Sequence, residues 1–453
     1  MADLTLRVLD DLGSVDAASW DALDHGPSPF TEYGFLRALE LSRSVGHEAG
    51  WQPVYILLEE QDESAHNAAH ARSPHSASTS PSPGPTRSTD ERAETSTTGL
   101  EGPPETSTED PAPPPGRLLG AVAAYIKSHS YGEYIFDWSW ARASRQAGLP
   151  YYPKMVIAAP MTPATGRRLL VAPDAPRETV VSALIAGVHE IAKVAECHSI
   201  HWLFCSAQEQ RELAAHGFAP RASFQYHWKN RDYTTFDDFL ATLTSRKRKQ
   251  IRKERARAQR AIDELEFVPG HDLTAEEIAT LDGFYRRTTA EHGGSEYLQP
   301  GFFQHLLKLQ GDRVQVARVR KDGEMIAGAL LLETPQALYG RYWGCSQEID
   351  LLHFETTCYA GIERCIARNI PLYEAGAQGQ HKLLRGFLPS PTYSAHWMRH
   401  EGFHRAIEGF LRDETVAVAA GMDELATASP YRADALAAFR GQPQTTPPET
   451  QDG

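Results

Sequence analysis

The chain has 453 residues, 41% of them apolar, which is enough to bury a large core in two domains. A net charge of -14 argues against nucleic-acid binding by the surface as a whole and leaves room only for a local basic patch. No apolar run reaches the ~18 residues of a membrane span; the opening MADLTLRVLDDLG lacks the basic-then-apolar order of a signal peptide, and five cysteines without CxxC spacing suggest neither a disulfide framework nor a metal site, so a cytoplasmic location is expected.

In chain order, residues 51–60 read as a strand and 117–127 as its hairpin partner. Between them, residues 61–116 are rich in Ser, Thr, Pro and acidic residues and have almost no large apolar side chain, so a disordered insertion is expected there. A strand at Glu133–Asp137, an apolar stretch at 155–160, a helix over 177–196 with Val180, Val181, Leu184, Val188 and Ile191 on one face, and a strand over 200–205 follow. The run from Ser245 to Arg260 carries nine basic residues and one acid, within a connecting helix set at 236–265. In the second half, 313–320 and 324–333 form a hairpin about Asp322-Gly323, followed by a strand at 338–345, a helix at 354–369 and a last strand at 371–375. The tail, 426–453, is Ala-, Pro- and Thr-rich and is expected to fray.

Polar groups that could do chemistry fall into a few clusters. Asp137 sits between Trp138 and the end of a predicted strand, either as a desolvated proton acceptor or as a capping residue beside core tryptophans. Tyr152 and Lys154 could orient a carboxylate or phosphate, or Lys154 could be a strand-edge charge. Glu374, Gln378, His381, Lys382 and Arg385 follow the last strand among glycines, and the three cationic or titratable groups would share one face of a helical turn, as an anion site or as a buried network. His396 could complete that pocket or simply pack. Of the basic run, Arg246, Lys247, Arg248, Lys249, Arg252 and Lys253 form either a polyanion-binding face or a solvated one. No serine elbow, zinc-protease motif or Walker loop is present.

Three motifs, residues 132–138 (GEYIFDW), 151–154 (YYPK) and 339–397, together resemble the FemAB-like family of N-acyltransferases. The resemblance implies an α/β fold of two tandem GNAT-like units, here 1–235 and 266–425, and direct attack of an amine on an activated acyl group. The donor would be acyl-CoA or aminoacyl-tRNA, and the acceptor a cell-wall precursor. Asp137 or Glu374 would accept the proton, His381, Lys382 and Arg385 would bind an anionic donor or acceptor, and Trp138 would shape the pocket. Thr165-Gly166-Arg167-Arg168 resembles a degenerate form of the loop that holds a donor phosphate in GNAT enzymes. The basic helix in an acidic chain is suited to RNA, a phosphate-bearing donor or an anionic lipid-linked precursor or membrane surface, the resemblance favouring tRNA. The alternative to an enzyme is a non-catalytic binding protein that recognises a cell-wall precursor or RNA through the same pocket and helix. An intact backbone bulge in the first unit, able to polarise a thioester, would favour the enzyme, whereas a pocket filled by side chains would favour the binding protein.

Overall fold

The computed structural model describes residues 3–61, 116–291, 293–376 and 379–441, so Gln378 and all but the ends of the insertion expected at 61–116 lie outside the described residues. The chain divides into two units. One is Met1–Thr5 with Glu59–Arg117, whose described strand ends carry an Arg117–Glu60 ion pair at 3.6 Å. The other, Leu6–Leu58 with Leu118–Gly453, carries the rest of the fold.

Thirteen described strands make one mixed sheet. The first half supplies β1 (Asp3–Leu9), β2 (Gln52–Gln61), β3 (Arg117–Lys127), β4 (Lys154–Ile157), β5 (Leu170–Val171), β6 (Ser199–Cys205) and β7 (Ala219–Lys229). The second half supplies β8 (Glu264–Pro269), β9 (Val314–Lys321), β10 (Glu324–Glu333), β11 (Ala337–Cys345), β12 (Leu372–Glu374) and β13 (Leu388–Met398). Their spatial order is β1-β2-β3-β4-β6-β13-β7-β12-β11-β10-β9-β8, with β5 on β3.

This order is a palindrome. Exchanging β1 with β8, β2 with β9, β3 with β10, β4 with β11, β6 with β12 and β7 with β13 reproduces it in reverse. Each half contains one parallel pair, β4–β6 or β11–β12, joined by a helical crossover over Arg177–Val194 or through Leu352–Phe354 and Ala360–Ala367. The last strand of each half lies against the other half: β13 pairs antiparallel with β6, β7 pairs antiparallel with β12, and β7 and β13 pair with each other at the centre. The fold is therefore mixed α/β, built of two halves of like topology whose final strands are interchanged.

Local chemistry explains most elements. Asp322 and Gly323 both adopt the left-handed conformation (φ 53° and 79°) that a two-residue hairpin turn needs. The 177–194 helix buries Val180, Val181, Leu184 and Val188 against Ile56, Val122, Ile157 and Trp202 of the sheet. The strand expected at Glu133–Asp137 does not form. Gly132 and Tyr134 take positive φ (78° and 60°), and the acidic side chains turn inward onto Lys154 rather than alternating across a pleat. The tail expected to fray from 426 is ordered as far as Gly441: the Glu401–Thr427 helix is followed by another at Ala433–Gly441, and Tyr431 is buried with its hydroxyl on Gly386 O at 2.6 Å.

The interchange predicts a linked stability. Expressed alone, residues 1–235 and 236–453 should each lack a cooperative thermal transition by circular dichroism, because β6 and β12 each lose one neighbouring strand and bare an edge. Mixing the two should restore the transition, and a native-like melt from 1–235 alone would contradict this.

Candidate active site

The second parallel pair forks. β11 and β12 stay paired over Ala337–Leu372, Leu338–Tyr373 and Tyr339–Glu374; then β11 runs on to Cys345 while the other chain turns away through Gly376 and Gly379, both at positive φ. Just past the fork β10 pairs Leu331 with Gly340 and Leu330 with Tyr342, so Arg341 is a bulge residue without a cross-strand partner on either side.

Glu374 sits in the fork, 4% exposed. Its Oε2 accepts the Thr165 N–H at 3.4 Å and its Oε1 lies 3.9 Å from Nε2 of His227, its register partner on β7. Burial raises its pKa to about 8, against the opposing pull of the Thr165 amide, Arg168 and Arg341. Burial also drives His227 down to about 3, so at neutral pH the two meet as uncharged groups rather than as an ion pair. Lys382 donates to Gly376 O at 2.8 Å and is lowered by burial to about 8. Arg341 donates through Nη2 to Met161 O at 2.6 Å, and Gln225 donates to Pro163 O at 3.0 Å. The Thr165 and Tyr339 hydroxyls and Arg341 Nε are buried without a hydrogen-bond partner. The ring thus draws β11, β12 and Lys382 from the second half, and β7 and the 161–165 loop from the first.

The corresponding fork in the first half is full. β4 and β6 pair over Met155–Ile200 to Ile157–Trp202, and the loop that follows β4 folds back between them. Gly166 N donates to Phe204 O, and Arg168, 2% exposed, spends its guanidinium on the carbonyls of Leu203, Ala164 and Arg167. The Glu209 carboxylate takes the amides of Arg168 and Leu169, and Arg167 is held by Gln208 and Asp24. The expected phosphate loop Thr165-Gly166-Arg167-Arg168 is therefore corrected. The amides of Thr165, Gly166 and Arg168 and the Arg168 guanidinium are already hydrogen-bonded within the fold, and a phosphate would meet the Glu374 and Glu209 carboxylates.

Asp137, expected as a proton acceptor, belongs to a buried ion-pair network. Lys154 Nζ reaches Asp137 at 2.5 Å, Glu133 at 2.8 Å and Ser130 at 2.7 Å, and Tyr151 donates to the same Asp137 oxygen at 2.6 Å. Burial raises the Asp137 pKa, but Lys154 and these hydrogen bonds outweigh it and hold the acid below its ordinary value, which makes it a poor base. Lys154 is fully buried and is not placed to orient a substrate; Tyr152 bonds Ser130, while Trp138 is exposed against Tyr131. His396 is also corrected: it is buried in a Ser199–His201–His396–Ser394 chain on the β6–β13 ladder, far below its usual pKa by burial, and is not in the Glu374 ring.

The expected cationic face after β12 is split. Gln380–Arg385 is a 3-10 helix whose Lys382 points to the fork, whereas Arg385 bonds Glu254 at 3.3 Å and lies 3.3 Å over the Phe354 ring. His381 stacks near the same ring. In the basic helix, observed at Ser245–Gln259, Arg255 is bound by Glu355 and Glu363, Arg252 by Asp237 and Arg257 by Asp350. Lys247 and Arg248 are half-buried, on Gln250 and Ser245, while Arg246, Lys249 and Lys253 stand exposed. Sequence reasoning missed Arg341 and His227. The run Arg341-Tyr342-Trp343-Gly344 gave no sign of a bulge, and His227 lies on a strand that was not anticipated.

The chain belongs to the FemAB_like family, described as peptidoglycan biosynthesis/recognition, whose model matches residues 11–78 and 98–433. Among solved structures it is similar to FemX, at 11% identity and a TM-score of 0.46 over 89% of this chain and 100% of that one. It is also similar to L-PGS from Bacillus licheniformis (9%, TM-score 0.41, 65% and 86%) and to a tandem GNAT protein from the clavulanic acid biosynthesis pathway (10%, TM-score 0.38, 87% and 98%). Likenesses this distant carry no functional inference. No curated protein matches.

Two outcomes test the assignments. Arg385→Ala should lower stability by about 2–4 kcal/mol in urea denaturation, since it leaves Glu254 without its cation; an unchanged midpoint would mean the arginine is free for ligand. For Glu374, a folded-state pKa raised above the ordinary carboxylate value gives stability that is present below pH 4.5 and is lost as pH rises through about 8. The wild type should therefore lose stability between pH 5 and 8.5 at up to about 1.4 kcal/mol per pH unit relative to Glu374→Gln, and parallel profiles would show that the carboxyl is not held neutral.

Proposed function

We propose that this chain is an N-acyltransferase that moves an acyl or aminoacyl group from an activated donor directly to an amine, with no acyl-protein intermediate. The observation that supports this best is the conjunction, at the second fork, of a buried carboxyl with a raised pKa and a strand bulge without a partner. An attacking amine must lose a proton. A carboxylate whose pKa lies near 8 is a far better acceptor than an exposed glutamate and is still partly ionised at neutral pH. The bulge frees backbone at Arg341 to receive a donor carbonyl, and Lys382 supplies positive charge beside the oxyanion that develops. Catalysis is thus assigned to the second half, where the bulge lies, rather than to the first.

The donor in this reading is acyl-CoA or aminoacyl-tRNA, and the acceptor, following the family's description, is a cell-wall precursor. Because the first-half loop is closed to phosphate, the proposed contact for a polyanionic donor or an anionic membrane surface is the exposed set Arg246, Lys249 and Lys253. Among the described residues no helix is long and apolar enough to cross a membrane. A second reading, recognition without turnover through the same fork, draws on the depth at which Glu374 lies.

The test is donor consumption with acyl-CoA or aminoacyl-tRNA and amine acceptors, followed across pH. The rate should rise through pH 8, and Glu374→Gln should lower kcat on the order of 10²–10⁴-fold. An unaltered rate in Glu374→Gln would sink the assignment, and ligand binding with no donor consumed would favour recognition.

A further inference from the structure

Arg341 is an unusual arginine in this molecule. Other arginines set into the fold have their charge answered: Arg255 by Glu355, Arg364 by Glu333, Arg385 by Glu254, and Arg168 by three backbone carbonyls. Arg341 is half-buried and forms no ion pair among the described residues; Nη2 holds Met161 O, Nε is buried with no partner, and the guanidinium lies 5.1 Å from the Tyr342 ring centroid and 5.6 Å from that of Phe30. Leaving a desolvated cation incomplete is costly unless something arrives to complete it.

The surroundings suit an incoming anion. Tyr134 and Tyr342 are half-buried beside the same guanidinium, and the Tyr134 phenol is an electrostatic neighbour of Arg341, Tyr342 and Tyr297. Tyr134 and Met161, on the two segments that approach Arg341, both hold positive φ (60° and 51°), a conformation non-glycine residues keep only where their surroundings enforce it. The bulge re-aims Arg341 itself, two residues past the register partner of Glu374. Phenol hydroxyls and a planar guanidinium whose Nε has no partner make a fork for one compact oxyanion.

We infer that Arg341, walled by Tyr134 and Tyr342, seats a carboxylate or phosphate carried by the same molecule whose amine is acylated at Glu374. The inference rests on the transferase reading for the identity of that amine, while the anion seat stands on Arg341. The acceptor is then an amine with an oxyanion a few bonds away, and a neutral amine is a poor substrate.

The test uses small amines as probes: glycine, O-phosphoethanolamine and glycinamide, titrated into the full chain and followed by NMR or calorimetry. Glycine or O-phosphoethanolamine should bind saturably in the millimolar range, which of them binds identifying the oxyanion, and glycinamide should bind at least roughly tenfold more weakly. Arg341→Gln should weaken the anionic probe by roughly tenfold or more. Arg341→Lys, which keeps the charge but loses the planar fork, should fall between, and it decides by the same criterion if the glutamine variant does not fold. Glu374→Gln should keep anion binding, so a failure of the base assignment shows as retained turnover in that variant and is separable from failure at Arg341. The inference is overturned if glycinamide binds as well as the anionic probes, if the Arg341 variants bind like wild type, or if neither anion binds saturably.

Discussion

The interchange of β7 and β13 is the constraint on which the molecule turns. Each half holds a parallel pair whose second strand, β6 or β12, needs an antiparallel neighbour on its free side, and in both cases that neighbour comes from the other half. The consequence reaches the site directly. Glu374 faces His227 only because β7 crosses over, and the loop whose Thr165 amide meets Glu374 belongs to the first half. A single unit could form the β11–β12 fork but could not line it.

Two forks of the same topology have opposite fates, and the difference lies in how polar groups are satisfied. In the first, Arg168 and Glu209 are hydrogen-bonded to backbone on every side, which is how a buried charge becomes a structural rivet. The Lys154–Asp137–Glu133 cluster is tied by ion pairs between side chains, with one oxygen of each carboxylate accepting no hydrogen bond. In the second, a carboxyl is held near neutrality by desolvation, an arginine nitrogen and two hydroxyls are left without partners, and a lysine is stripped of much of its solvent. The second fork is set apart by a carboxyl held near neutrality beside unpartnered donors drawn from both halves.

Much of the fold was legible in the sequence because its signals are local. The Asp-Gly hairpin, the apolar face of the 177–194 helix and the strands around 313–345 were all readable, and Glu374 stood out by following a strand among glycines. What escaped depends on distant partners. β13 carries Pro389 and Pro391, which argue against a central strand, yet over residues 388–392 it pairs with β7 alone, so prolines fit along a stretch whose other side has no ladder. Asp137 looked like a base because its lysine lies 17 residues away on another element, and Arg168 looked like a phosphate ligand because the carbonyls that consume it are set by the fold-back of its own loop. The bulge at Arg341 is a mismatch between two strands and so is a property of neither sequence alone.

The His201–His396 bond joins residues 195 apart in the chain, on the β6–β13 ladder. During synthesis, β6 therefore emerges from the ribosome long before its partner exists, and its open edge must be kept from other strands for the whole interval. Contacts of such sequence separation are closed late and slowly. The chain is thus one whose first half cannot complete its sheet until nearly all of the second has been made.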